Sequence, residues 1–328
     1  MKHIIILTTG GTIAMKEDGG DHSVRPADPH ALRGQLNMLK AYAQVEMEAI
    51  FNYPSPHLTP SHIHQIREKA AECLSRPETD GVVITHGTDT LEETAHYLDI
   101  TLDSAKPVVL TGAMRSHNEL GSDGPLNLVN AVRVAAHSGS RGKGVLVVFN
   151  DEIHAARWVT KTHTSNVATF QSPSHGPIGL LSKKGVLFTH PLAPRPILPS
   201  APPVEPVHLV KAAAGTDDTF IRAALAAGTK GLVVEALGQG NLPPAMLPGL
   251  RKALDQGVPV VLVSRCFNGF VEDTYGYEGG GRQLKELGVI FSNGLNGQKA
   301  RIQLMAALHS SRDPAVLQTF FQQTEQET

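Results

Sequence analysis

Two short segments place hydroxyls where chemistry could use them. Thr9-Gly10-Gly11-Thr12-Ile13-Ala14 follows the apolar run Ile4-Ile5-Ile6, and His86-Gly87-Thr88-Asp89-Thr90 follows Val82-Val83-Ile84. Each reads as a buried strand that breaks into a glycine turn and delivers a threonine at its exit. Glycine permits backbone angles and close approaches that a Cβ resists, and ligands bind where parallel strands end. A third polar stretch, Val159-Thr160-Lys161-Thr162, adds a lysine. A threonine hydroxyl attacks nothing until a base relieves it of its proton. A lysine can be that base once burial or a neighbouring cation lowers its pKa. Asp89 could orient the lysine or grip the ammonium group of a substrate. Thr12, Thr88, Lys161 and Asp89 therefore form a nucleophile, base and orienter set.

The elements that must position this set are legible as an alternation. Strand-like apolar runs recur at 3–8, 45–51, 81–85, 107–111, 144–149, 231–234, 258–263 and 288–291, with helix-like stretches at 60–75, 91–102, 126–138 and 248–256. Near-continuous apolar strands between helices predict an α/β fold with a mostly parallel sheet covered on both faces. In the stretch 126–138, Leu126, Val129, Val132 and Val134 are the residues expected to pack on the sheet. Seven prolines between Pro191 and Pro206 interrupt the pattern. Proline removes backbone donors and disfavours helix and central strand, so this stretch is expected to span rather than pack. The expected organisation is an N-terminal α/β domain over 1–190, a linker over 191–206 and a smaller C-terminal α/β domain over 207–328.

Bulk properties exclude several classes. Of 328 residues, 41% are hydrophobic and 18% charged, ample for a globular core. A formal net charge of −2 gives no electrostatic reason to expect nucleic acid or an anionic membrane as partner. No apolar run approaches the ~20 residues of a membrane span. The chain enters its first strand directly after Met1-Lys2, which argues against a signal peptide and for the cytoplasm. The two cysteines, Cys73 and Cys266, have no metal or redox spacing and read as free thiols. His62 and His64 are two apart, about 200° around a helix, which is poor geometry for a metal. No lysine follows Gly10-Gly11 in phosphate-loop spacing. His86 is expected to donate or accept a supporting hydrogen bond, and Trp158 to line a wall.

The threonine-bearing turns resemble the two signature motifs of bacterial-type L-asparaginases. Gly112-Ala113-Met114-Arg115, Ser122-Asp123-Gly124-Pro125-Leu126-Asn127 and Val147-Val148-Phe149-Asn150-Asp151 also look like family segments, as do Val159-Thr160-Lys161-Thr162, Gly238-Gln239-Gly240-Asn241 and Gln298-Lys299-Ala300-Arg301. They occur in the family's order, from residue 4 to about 310. The resemblance implies a large and a small α/β domain and a homo-oligomer, a dimer or a tetramer of dimers, with sites at the subunit interface. It also implies hydrolysis of the side-chain amide of asparagine, and sometimes of glutamine, without metal or organic cofactor. By motif, Thr12 would be the nucleophile, and Thr88 with Lys161 the second pair that activates it or the water. Asp89 would hold the substrate's α-ammonium group and Ser55 its α-carboxylate. An amino acid carries both charges, so its site needs both an anion and a cluster of donors. Backbone amides of the glycine turns, Gly11 among them, would form an oxyanion hole, and Asn241 would come from the neighbouring subunit.

Three departures from the family pattern stand out. From Met15 to Ala41 there is no tyrosine to assist the nucleophile; the stretch Asp18–Pro26 reads instead as a glycine-rich candidate lid. A water or Tyr53 could take that role. Pro54 and Pro56 flank Ser55 and stiffen its loop. The neighbour-supplied glutamate has only Glu278 as a candidate. A dual glutaminase–asparaginase is the rival within the class, since one methylene is discriminated by only ~1–3 kcal/mol. A catalytically silent amino-acid-binding protein on the same scaffold is the rival outside it.

Overall fold

The computed structural model describes residues 1–17, 24–26 and 36–322. Contacts divide the chain into two compact units, Met1–Pro194 and Arg195–Thr328.

The first unit is built on eight strands: β1 His3–Thr8, β2 Gln44–Ala49, β3 Gly81–Thr85, β4 Val108–Thr111, β5 Val145–Phe149, β6 Glu152–Ala155, β7 Gly179–Ser182 and β8 Gly185–Phe188. Their spatial order is β8-β7-β6-β5-β4-β3-β1-β2. From β2 to β5 every neighbour is parallel; β6, β7 and β8 continue the sheet antiparallel. Every residue of β3, β4 and β5 is buried, as expected of strands sandwiched between helices. The covering helices include α1 Pro60–Ser75, α2 Leu91–Thr101 and α3 Gly124–Ala136.

The parallel order 2-1-3-4-5 reverses direction between β1 and β3. Chains leaving the two strands there part to opposite sides and open a crevice at their carboxyl ends, where ligands of such sheets bind. The register pairs Thr8 with both Ala49 and Thr85. Three adjacent strands therefore stop at one level and release the loops that carry Thr12, Ser55 and Thr88.

Two details differ from the sequence reading. The antiparallel extension β6–β8 was not legible, because four-residue strands with mixed polarity such as Glu152-Ile153-His154-Ala155 show too little of a period. The β5–β6 connection turns on Asn150 and Asp151, both at positive φ (47° and 61°), the signature of a two-residue type I′ hairpin. In α3, Val132 and Val134 are buried and Val129 packs on the same cluster as expected, joined by Leu128, Ala131 and Ala135, whereas Leu126 lies on the solvent face, 54% exposed.

The second unit has a four-stranded parallel sheet in sequential order: β9 Val207–Lys211, β10 Gly231–Ala236, β11 Val260–Ser264 and β12 Ile290–Phe291. Its helices include α4 Thr219–Ala226, α5 Leu247–Asp255, α6 Gly297–Ala307 and α7 Pro314–Phe321. From Arg195 onward the proline-rich stretch packs within this unit: Leu198 is buried, and the Val204 N–H donates to the Met305 carbonyl of α6 at 3.0 Å.

Candidate active site

The loop after β1 is shaped by contacts that tolerate no side chain. Gly11 sits at φ +86°, and a Cβ there would collide with the backbone of Gly87. A Cβ on Gly87 would in turn lie 2.7 Å from both Cβ and Oγ of Ser55. Three loops thus meet: the Gly11 backbone with that of Gly87, and Gly87 with the Ser55 side chain. Thr12 and Thr88 each follow one of the two abutting glycines, so both residues flank one junction. The Thr9 hydroxyl donates to the Thr85 carbonyl at 3.0 Å and the Thr9 N–H to the same oxygen at 3.1 Å, locking the two strand ends together. Ile13, buried, anchors the short 3-10 turn Thr12–Ala14.

Ser55 is buried and held from two further sides. Its carbonyl accepts from the Thr90 hydroxyl at 3.1 Å and from the Leu58 N–H at 3.1 Å. The segment before it is stiffened by an aromatic cluster, with Phe51 stacked on Tyr53 at 5.5 Å and His62 edge-on to both. His62 also closes a capping box with Thr59 at the start of α1, taking the place that Glu or Gln fills elsewhere. Tyr53 meets the site through its backbone, which abuts Gly10, while its ring is half exposed.

Lys161 lies on a two-residue strand, Thr160–Lys161, paired antiparallel with Phe170–Gln171. Phe170 is buried and stacks on Phe149 at 4.4 Å, and the Ser172 hydroxyl is 2.9 Å from Nδ1 of the fully buried His154. These contacts pin the hairpin to β5 and β6. From that mount, Lys161 Nζ reaches Thr88 Oγ1 at 2.9 Å and Asp89 Oδ1 at 2.7 Å. The Lys161 side chain is 16% exposed and the Asp89 side chain 58%. The ion pair is therefore anchored on the lysine side and open on the carboxylate side. Asp89 and Thr90 stand immediately before α2, where a helix N-terminus favours negative charge.

Behind Thr88, His86 is fully buried and its pKa is pushed down to about 4 by desolvation, partly offset by its hydrogen bond to the Gly87 carbonyl. It is a neutral imidazole at neutral pH. The sequence reading of a supporting hydrogen bond fits this placement, and Trp158 indeed packs on the core while stacking on His175 at 4.2 Å.

One polar clamp carried no assigned role in the sequence. The Asp123 carboxylate accepts from the N–H groups of Met114 and Arg115, and Asn127 Nδ2 donates to both Asp123 and the Gly112 carbonyl. Together they fix the loop that leaves β4, next to the Thr88 turn. Acidic and amide residues four apart on a helix face were the available signal.

Asn241 and Glu278 belong to the second unit. Asn241 closes a turn with Leu237 through paired backbone bonds, and its Oδ1 is buried without a hydrogen-bond partner among the described residues. Glu278 is exposed. Within the candidate lid Asp18–Pro26, Asp18–Ser23 lies outside the described residues.

The comparisons with known proteins cover nearly the whole chain. The asparaginase N-terminal family model matches residues 3–193, and the glutaminase/asparaginase C-terminal domain model matches 206–321. An L-asparaginase of Bacillus licheniformis is 34% identical over 95% of this chain and 97% of its own. A probable L-asparaginase of Deinococcus radiodurans is 40% identical over 94% of each. The crystal structure of a probable cytoplasmic L-asparaginase from Campylobacter jejuni is similar with a TM-score of 0.88 and 34% identity, covering 98% of this chain and 99% of that one. Two family models in sequence order, relatives matched over nearly their full length and a solved neighbour of the same fold establish that the chain belongs to the asparaginase family of amidohydrolases.

Proposed function

We propose that the protein hydrolyses the side-chain amide of L-asparagine to L-aspartate and ammonia by covalent threonine catalysis. The carrying observation is the junction at which Gly11, Gly87 and Ser55 touch, with Thr12 and Thr88 next in sequence to its two glycines and Lys161 bonded to Thr88. In this reading the Thr12 hydroxyl adds to the amide carbonyl carbon while its proton passes to a base. The C–N bond then breaks, the nitrogen takes that proton, and ammonia leaves behind an ester on Thr12. Water, deprotonated by the Thr88–Lys161 pair, cleaves the ester and returns the hydroxyl. Asp89 holds the α-ammonium group and Ser55 the α-carboxylate, while N–H groups of the glycine turns receive the charge developing on the carbonyl oxygen.

A dual activity towards glutamine is the second reading; the C-terminal family model carries both substrate names. The oligomer is a dimer or tetramer of dimers in which Asn241 and Glu278 complete a neighbour's site. Support comes from Asn241 Oδ1, unpartnered within the described residues of its own chain, and from the exposure of Glu278. The cytoplasm is the proposed compartment, consistent with the name of the Campylobacter neighbour and with the free thiols of Cys73 and Cys266. No helix among the described residues is long and apolar enough to cross a membrane.

The deciding experiment is ammonia release from L-asparagine and L-glutamine by the protein and its Thr12→Ala variant. Release from asparagine that vanishes in the variant supports the reading. Comparable rates on both amides make the enzyme dual, and silence on both leaves a binding protein.

A further inference from the structure

The proposed chemistry leaves a buried polar chain behind Thr88 unaccounted for. His86 has no exposed surface, and each of its ring nitrogens has one partner. Nδ1 is 2.8 Å from the Gly87 carbonyl oxygen, and Nε2 is 2.9 Å from Oγ1 of Thr94, itself fully buried in the first turn of α2. A carbonyl can only accept, so Nδ1 carries the hydrogen. In the neutral ring Nε2 is then an acceptor, and the Thr94 hydroxyl is its donor. The His86 backbone is clamped as well: its N–H donates to the Thr111 carbonyl of β4 at 2.9 Å.

The consequence falls on the next peptide. The Gly87–Thr88 bond is trans, and a trans peptide directs its C=O and N–H to opposite sides. Holding the Gly87 oxygen against His86 therefore aims the Thr88 N–H away from the buried His86 ring. Glycine at 87 has no side chain to bias the direction of this peptide, so the hydrogen bond from His86 supplies it.

We infer that Thr94 and His86 are positioning residues for the reaction: the Thr94 hydroxyl, donating to Nε2, holds the ring in the orientation and tautomer that the Gly87 carbonyl requires, and Nδ1–H in turn holds the Gly87–Thr88 peptide beneath Thr88. This inference rests on the proposed function for its kinetic consequence, but its structural core does not. The low pKa of His86 agrees with it, since a neutral ring is the only form that both donates at Nδ1 and accepts at Nε2.

Thr94→Val keeps the shape and removes the hydroxyl; Thr94→Ser keeps the hydroxyl and removes the methyl. The expected result with L-asparagine is a kcat at least tenfold lower in Thr94→Val, with KM changed less than threefold, and a kcat within threefold of wild type in Thr94→Ser. A Thr94→Val protein that melts earlier yet turns over at the wild-type kcat overturns the inference and leaves Thr94 a packing residue. Nitrogen-15 NMR of histidine-labelled protein reads the tautomer without any turnover, the His86 signal being assigned by its loss in His86→Gln. A protonated Nδ1 in the wild type supports the proposal, and a protonated Nε2 overturns it. Should the wild type hydrolyse neither amide, the proposed function fails while the NMR result still decides the tautomer.

Discussion

Lys161 Nζ stands 2.9 Å from Thr88 Oγ1, although 73 residues separate the two in sequence. The same nitrogen lies 2.7 Å from Asp89 Oδ1. One nitrogen thus bridges the hydroxyl and the carboxylate that the second glycine turn delivers side by side.

Removing that nitrogen tests its role. A positioned general base contributes about 10²–10⁴-fold to a rate. Lys161→Met is expected to lower kcat on asparagine by about that factor with KM changed only a few-fold. Lys161→Arg is expected to fail as a rescue, because a guanidinium cannot give up its proton near neutral pH. Steady-state kinetics of both variants supply the answer, and a Lys161→Met protein that no longer binds substrate assigns the lysine to the pocket instead.

The contact of Gly87 with Ser55 makes a second prediction. In Gly87→Ala the new methyl must displace Ser55 or its loop, since it would start 2.7 Å from the Ser55 side chain. The expected outcome is a kcat/KM reduced at least tenfold, together with a stability loss of about 1–3 kcal/mol from overpacking. Gly142 is the control: it has φ +73° and nothing within 4 Å of its missing Cβ. Gly142→Ala should carry backbone strain of about 1–2 kcal/mol in urea unfolding and leave kcat/KM intact. Equal kinetic behaviour of the two variants would contradict the geometric argument.

The parallel half of the large sheet was legible because β1, β3, β4 and β5 are continuous apolar runs that end in glycine or polar turns. The candidate site was legible for the same reason. Thr12 and Thr88 sit at strand exits, and the register of Thr8 with Thr85 follows once both strands are parallel neighbours. What stayed hidden depends on contacts without a local signature. Glu152-Ile153-His154-Ala155 is too short to show a period, and Leu126 looked like core until the helix phase put Leu128 and Val132 inward. Thr94 is one of three threonines within 88–94, and only the folded position of His86 distinguishes it from its neighbours. Close approaches such as Gly11 to Gly87 leave glycine as their only trace, and glycine alone does not name its partner.

Ser55 offers a prediction on binding. A hydrogen bond to a charged group is worth about 1.5–3 kcal/mol, so losing one to the substrate carboxylate corresponds to about 10- to 100-fold in affinity. Ser55→Ala is therefore expected to raise KM for asparagine by that factor and to lower kcat far less. Kinetics on asparagine and on a des-carboxy amide distinguish the role, because the amide without the α-carboxylate should not sense the substitution. An equal loss on both substrates would mean that Ser55 supports the loop rather than the ligand.

The buried His86 predicts how stability follows pH. Its folded-state pKa, about 4, lies below the ordinary 6.5, because burial opposes the charged ring. Between those values the unfolded chain binds a proton that the native state refuses, so stability rises with pH across the window. The contribution is fully present above pH 6.5 and is lost as pH falls towards 4, amounting to roughly 3 kcal/mol at one pKa unit per 1.36 kcal/mol. Carboxylates with lowered values, such as Asp80 beside Lys2 and the His3 N–H, add their own loss at lower pH. Urea unfolding of wild type and His86→Gln at intervals from pH 7.5 to 4.5 isolates the histidine by difference. The wild-type curve should fall more steeply than that of the variant between pH 6.5 and 4.5; parallel curves would show that His86 takes up its proton without unfolding the site.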